Sequence, residues 1–186
     1  MTAKYIQSSL LQYAGLLTAL LLLCLFFSVQ TESFFQIGTA RLIANQIPEL
    51  TLVAVGMTLV LVIGQIDLSV GSVMALAGAV LGVLMAKYDW PLWSAILASL
   101  LSGAACGLVT GVISVGFRIP SFIVSLGMLE IARGATRRLL DSNTLTIGSD
   151  IAIISEPIQG VGLSPAFLLA ITAVLAVQFL LTRTVF

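Results

Sequence analysis

Gln65-Ile66-Asp67 is the one polar break in an otherwise apolar run from about Leu50 to Ala86. The run is too long for one bilayer crossing and suits two, at roughly 20 residues each. An acid between two such spans must meet water, a partner or a solute, because leaving it in lipid costs roughly 2.5–3.5 kcal/mol. Around it the sequence reads GQIDLSVGS, Gly64 to Ser72. Gln65, Asp67, Ser69 and Ser72 bring hydrogen-bond donors and acceptors, and Gly64 and Gly71 let backbone come close. Interrupted helices equipped in this way line solute routes in transporters. The same residues also suit a plainer role, with Asp67 as N-cap of the next helix and Ser69 and Ser72 as first-turn polar residues. Both roles are compatible.

A second polar group, Glu130, Arg133, Arg137 and Arg138 with Asp141, has helical pairing distances at Glu130–Arg133 and Arg137–Asp141. Such charges at a helix end are commonly solvated or snorkelling side chains. They also suit docking of an acidic partner surface or closure of a polar gate. Neither group resembles a catalytic constellation, since no nucleophile–base pair, phosphate loop or metal-ligand cluster is present. Histidine is absent, and Cys24 and Cys106 lie in apolar runs as small hydrophobes. The reading is a chain that is not an enzyme and needs no cofactor or metal.

The elements that must position these residues follow from composition. Hydrophobic residues make up 59% and charged residues 9% of 186, against about a quarter charged in soluble domains. The expected fold is all-α, a polytopic transmembrane helical bundle. Zero net charge without a basic patch speaks against a nucleic-acid partner. Six apolar segments are expected: Leu10–Val29, Pro48–Gly64, Leu68–Ala86, Leu92–Phe117, a short Ser121–Ala132 and Pro165–Leu181. The first is too long for a signal-peptide core and is read as a retained helix. Ile37–Ile47 reads as an interfacial amphipathic piece, after which Pro48 opens the second helix. Trp90 and Trp93 mark an interface. At about a dozen residues, Ser121–Ala132 suggests a half-helix.

Ser99, Gly103, Gly107 and Gly111 fall four apart on the fourth helix, and Gly71, Ala75 and Ala79 on the third. These small faces predict close helix packing. Orientation stays open on charge alone. With a cytoplasmic N-terminus, Lys4, Arg118 and Arg183 lie inside and Arg41, Lys87, Arg133, Arg137 and Arg138 outside, against the usual bias.

AVGMTLVLVIGQIDLSVGSVMALAGAV (Ala54–Val80) resembles the signature region of bacterial ABC sugar-importer permeases of the ribose, xylose, arabinose and galactose group. RIPSFIVSLGMLEIARG (Arg118–Gly134) and TRTVF (Thr182–Phe186) follow the same pattern in the same order. Gln65 stands where the family usually has Gly. The resemblance implies a multi-pass bacterial inner-membrane permease for a monosaccharide or related small polar solute. It also implies cytoplasmic ATPase subunits, a periplasmic sugar-binding protein and a second permease subunit as homo- or heterodimer, all within membrane lipid. It places both the N-terminus and Phe186 in the cytoplasm. Members of the family are longer, so residues 1–186 are expected to form a single permease domain corresponding to the N-terminal half. The near alternative is a branched-chain amino-acid permease of the same superfamily. A different class, an ion-coupled secondary transporter or channel subunit using Asp67 or Glu130, predicts an inverted repeat, and no second IDLSVG string is found.

Overall fold

Apolar segments of this length can satisfy their backbone in a bilayer only by forming helices or a closed barrel. Here they form helices. The computed structural model describes residues 2–141, 143–147, 151–158, 160 and 162–183, with residues 2–13 described by backbone alone. Its elements are α1 (Thr2–Gln30), α2 (Ile37–Val62), α3 (Val70–Tyr88), α4 (Leu92–Phe117), α5 (Ser121–Leu140), α6 (Ala152–Ser155) and α7 (Pro165–Arg183), with no strand among the described residues. Helices α2, α3, α4 and α7 are long and apolar enough to cross a membrane, and Ala14–Gln30 is a shorter apolar stretch. The all-α, polytopic reading is borne out. The closing Thr184–Phe186 lies outside the described residues.

The chain divides into two compact units, Met1–Gln46 and Ile47–Phe186. In the first, Phe27 and Phe34 stack with ring centroids 6.2 Å apart, and the Thr39 hydroxyl donates to Ser33 O at 2.6 Å. These contacts shape the turn between α1 and the start of α2.

In the second unit the core is α3 held between α4 and α5. Helix α4 runs antiparallel to α3: Ser99 Oγ donates to Ala77 O at 2.7 Å, and a Cβ at Gly103 would lie 3.8 Å from Val73 Cγ1. Helix α5 runs parallel to α3, tied by Leu68 N–H to Ser125 Oγ (3.1 Å) at one end and by Lys87 Nζ to Asp141 Oδ2 (3.4 Å) at the other. The residues buried between helices are mostly small, including Ala79, Ala95, Ser125 and Ala132. Small side chains let backbones approach, which is how helices pack where lipid removes the hydrophobic drive. The outward side of α4 carries exposed Leu97, Leu101, Leu108 and Val112, an apolar face suited to lipid.

Two expected boundaries move. The amphipathic piece and the second helix are one continuous helix, with Pro48 in its interior rather than its first turn. Proline removes a single backbone bond, and a helix of 26 residues carries that loss more cheaply than an open backbone in an apolar setting. The expected half-helix runs on to Leu140, so the charged cluster forms the second half of α5 instead of a loop after it. Length in apolar residues set the expectation, whereas α3 supports the helix beyond Ala132. Residues 143–147 then return along α3, and Leu145 and Ile147 come within 3.6–3.9 Å of a Cβ placed on Gly82.

Candidate functional site at the broken helix

Helix α2 stops because its last carbonyls are taken by a glycine turn. Gly64 has φ +73°, a left-handed conformation that a side chain would strain. From there Gly64 N–H donates to Leu61 O at 2.9 Å and Gln65 N–H to Val60 O at 3.0 Å. This is the paired pattern of a Schellman C-cap. Such caps favour an apolar residue at the position Gln65 occupies, so the amide is an unusual choice for termination alone.

Residues 65–69 are non-helical. Their backbone is held from the side: Ile66 N–H donates to Ser121 Oγ at 3.0 Å and Leu68 N–H to Ser125 Oγ at 3.1 Å. The spacing matches, since alternate N–H groups of an extended chain repeat at roughly 6.6 Å and residues four apart on a helix at roughly 6 Å. Ser125 is fully buried and also donates to Phe122 O at 3.1 Å. Sequence reasoning singled out neither serine. The signal was present, two hydroxyls four apart in an apolar segment just after Pro120.

Asp67 Oδ1 accepts from Ser69 N–H at 2.8 Å and from Ser69 Oγ at 2.6 Å. This closes an Asx-turn rather than a helix cap. Helix α3 begins at Val70 with Ser69 at its N-cap position, so the expectation that Asp67 caps a helix starting at Leu68 is corrected. A carboxylate two residues before the cap orients the entering chain and still sits beside the positive end of the helix. Ser69 is buried, and Asp67 is half-buried.

Facing the junction is the second half of the small-residue stripe. Ser99 and Gly103 lie against α3, whereas a Cβ on Gly107 or Gly111 would meet nothing within 4 Å. The packed face expected from the spacing therefore covers Ser99 and Gly103, and the stripe opens where α3 has not yet begun. One hollow of about 360 Å³ is lined there by Gln65, Asp67, Gly107, Thr110, Gly111 and Ser121. A second of about 610 Å³ shares Asp67 and Gly107 and extends along Ser69, Val73, Ser99 and Gly103. Helix α4 continues about six residues beyond Gly111, which leaves Asp67 roughly 9 Å short of that helix end. The polar junction thus lies within the layer that α4 crosses.

Gly71 and Ser72 do not face these hollows. They line a groove of about 480 Å³ between α3 and α5, together with Ala75, Leu129, Arg133 and Arg137. Arg133 pairs along α5 with Glu130 at 3.0 Å, and Glu130 itself does not line the groove. Farther along, Asp141 is shared by Lys87 and Arg138, each at 3.4 Å. The expected Arg137–Asp141 pairing is thus replaced by Arg138–Asp141. Helical spacing allows either pair, and Arg137 lies instead along the groove. Among the described residues no group of His, Cys, Asp and Glu could hold a metal.

A family model described as branched-chain amino acid transport system / permease component matches residues 39–186. The chain belongs to this permease family. Relatives include the ribose import permease protein RbsC of Escherichia coli K12, 37% identical over 78% of this chain and 45% of its own length. The autoinducer 2 import system permease protein LsrC of Photorhabdus luminescens is 31% identical over 91% and 52%. The fructose import permease protein FrcC of Rhizobium meliloti is 33% identical over 69% and 36%. The chain spans about half the length, or less, of these curated relatives. No solved structure matches it significantly. The resemblance carried by the IDLSVG and IPSFIVSLGM strings is borne out, and so is the import-permease group it pointed to. Membership, with four helices among the described residues long and apolar enough to cross a membrane, makes this a multi-pass protein of the bacterial inner membrane. It is a permease component and not an enzyme.

Proposed function

We propose that this chain forms part of the translocation route of an ABC importer for a monosaccharide or related small polar solute. The observation that carries the reading is the junction itself. Gln65, Asp67 and Ser69 stand on non-helical backbone beside open hollows, within the layer that α4 crosses and opposite its Thr110. Non-helical backbone at membrane depth is tolerated where it is buried in protein or lines a wet cavity. A sugar hydroxyl is a donor and an acceptor at once, and an amide, a carboxylate and a serine hydroxyl can answer both. The ribose, fructose and autoinducer 2 importers among the relatives support a polyhydroxylated solute. Gly71 and Ser72, on the other side of α3, extend the polar lining.

In this reading the permease works with cytoplasmic ATPase subunits, a periplasmic sugar-binding protein and a second permease subunit. Whether the pair is a homodimer or heterodimer is set by that second subunit. The chemical energy comes from the ATPase, so the permease supplies route and gating alone. The test is uptake of labelled ribose, fructose and leucine by cells lacking their own permeases for these solutes. The gene containing this chain is expressed with the neighbouring ATPase and binding-protein genes. Sugar uptake is expected, reduced about tenfold or more by Asp67→Leu, which corresponds to roughly 1.4 kcal/mol of lost interaction. Uptake of leucine in place of sugars would overturn the substrate class.

A further inference from the structure

We infer that the groove between α3 and α5 is a water-filled wall of the solute route, lined at membrane depth by Arg133. The argument begins with depth. Helix α3 has 19 residues, about 28 Å of span, and α5 lies alongside it from Ser125 to Asp141. Lys87 and Asp141 pair at the end of both helices, next to Trp90 and Trp93. Those residue types mark a membrane boundary. Arg133 lies about eight residues before Asp141, roughly 12 Å inside that boundary, and Glu130 lies roughly 16 Å inside.

Exposure follows. Within this chain the Glu130 side chain is 67% exposed and Arg133 is 49% exposed. Snorkelling covers about one helical turn, enough for Arg137 and too little for Arg133, which lines the groove. A charge left in lipid at that depth costs roughly 2.5–3.5 kcal/mol. An ion pair in such a position is retained only where its outer atoms find water or protein. The groove beside it favours water. Ser72 and Thr136 add hydroxyls, Gly71 bares backbone, and Arg137 has no carboxylate within 4 Å among the described residues. The occupants are water and small polar solutes. This inference rests on the transport reading for its purpose, and on membrane depth alone for its geometry.

The test is thiol accessibility in native membranes, using the full permease with every cysteine replaced, Cys24→Ala and Cys106→Ala among them. Single cysteines are placed by Arg133→Cys and Ser72→Cys, with Trp93→Cys as boundary control and Leu108→Cys as lipid-facing control. A bulky, permanently charged methanethiosulfonate reagent is supplied to both membrane faces. Ser72→Cys and Arg133→Cys are expected to react within about tenfold of the boundary control, and Leu108→Cys far more slowly. Ser72→Cys is nearly isosteric and keeps the ion pair, so it tests the groove even if Arg133→Cys disturbs folding. If Ser72→Cys is as slow as Leu108→Cys but reacts fully after unfolding in SDS, the groove is dry and the inference is overturned. The outcome does not depend on which solute is carried, so it fails separately from the sugar reading.

Discussion

Replacing Ser125 with alanine removes the fully buried hydroxyl that receives Leu68 N–H at 3.1 Å and leaves that part-buried amide without its partner. An unsatisfied buried amide costs about 1–3 kcal/mol. Ser121 makes the matching bond to Ile66, but there the bond is exposed and water can replace the hydroxyl. Its loss should cost below about 1 kcal/mol. For a chain of this size 1 kcal/mol corresponds to roughly 3 °C in melting temperature. Ser125→Ala is therefore expected to lower the midpoint in mild detergent by about 3–9 °C, and Ser121→Ala by less than about 3 °C. Ser125→Thr, which keeps the hydroxyl, should recover part of the loss. The readout is thermal unfolding of the purified chain, with protease cleavage at the junction as a second probe. A Ser121→Ala variant melting below Ser125→Ala would refute the view that the buried tie holds the junction to α5.

Three further outcomes follow from the same geometry. Asp67→Asn keeps an oxygen for Ser69 N–H and should melt near the parent, whereas Asp67→Leu should lose about 0.5–2 kcal/mol, the range for losing a cap-like bond. Gly103→Leu brings its Cβ into contact with Val73 and crowds the α3–α4 interface with the atoms beyond it, and should destabilise by about 1–3 kcal/mol. Gly107→Leu meets open space, so it should fold normally, fill the hollow beside Asp67 and reduce uptake without lowering the melting temperature. Gly64→Ala forces a side chain into φ +73° and should cost about 1–2 kcal/mol, measurable in the same melts.

The residues differ in how far the sequence alone revealed them. Helix α4 was legible end to end, because Pro91 precedes its apolar run and Arg118–Pro120 follow it. The break at Gln65–Asp67 was legible because polarity interrupts a run too long for one span. For helix α5 the apolar run of about a dozen residues shows only the first half in the sequence. Its second half is instead carried along α3, a tertiary support that no local pattern encodes. The small-residue stripe showed which face α4 presents but not that α3 starts only opposite its middle, leaving Gly107 and Gly111 uncovered. Asp67 was expected at the N-cap, one position type away from its Asx-turn. A carboxylate can reach amides in either arrangement, and only backbone geometry separates them. Ser121 and Ser125 were passed over because hydroxyls near a helix start bond so readily to their own turn.

The central claim, that the junction contacts the transported solute, is tested most directly by solute protection at Gln65. Gln65→Cys is introduced into the cysteine-free permease in a variant that retains uptake. Its rate of modification by a charged thiol reagent is measured in membranes with ATPase, binding protein and ATP, with and without the carried sugar. The account predicts that saturating sugar slows modification several-fold, while a sugar that is not taken up leaves the rate unchanged. An unchanged rate during active uptake would contradict it, and the Gly64–Ser72 junction would then be a structural break alone.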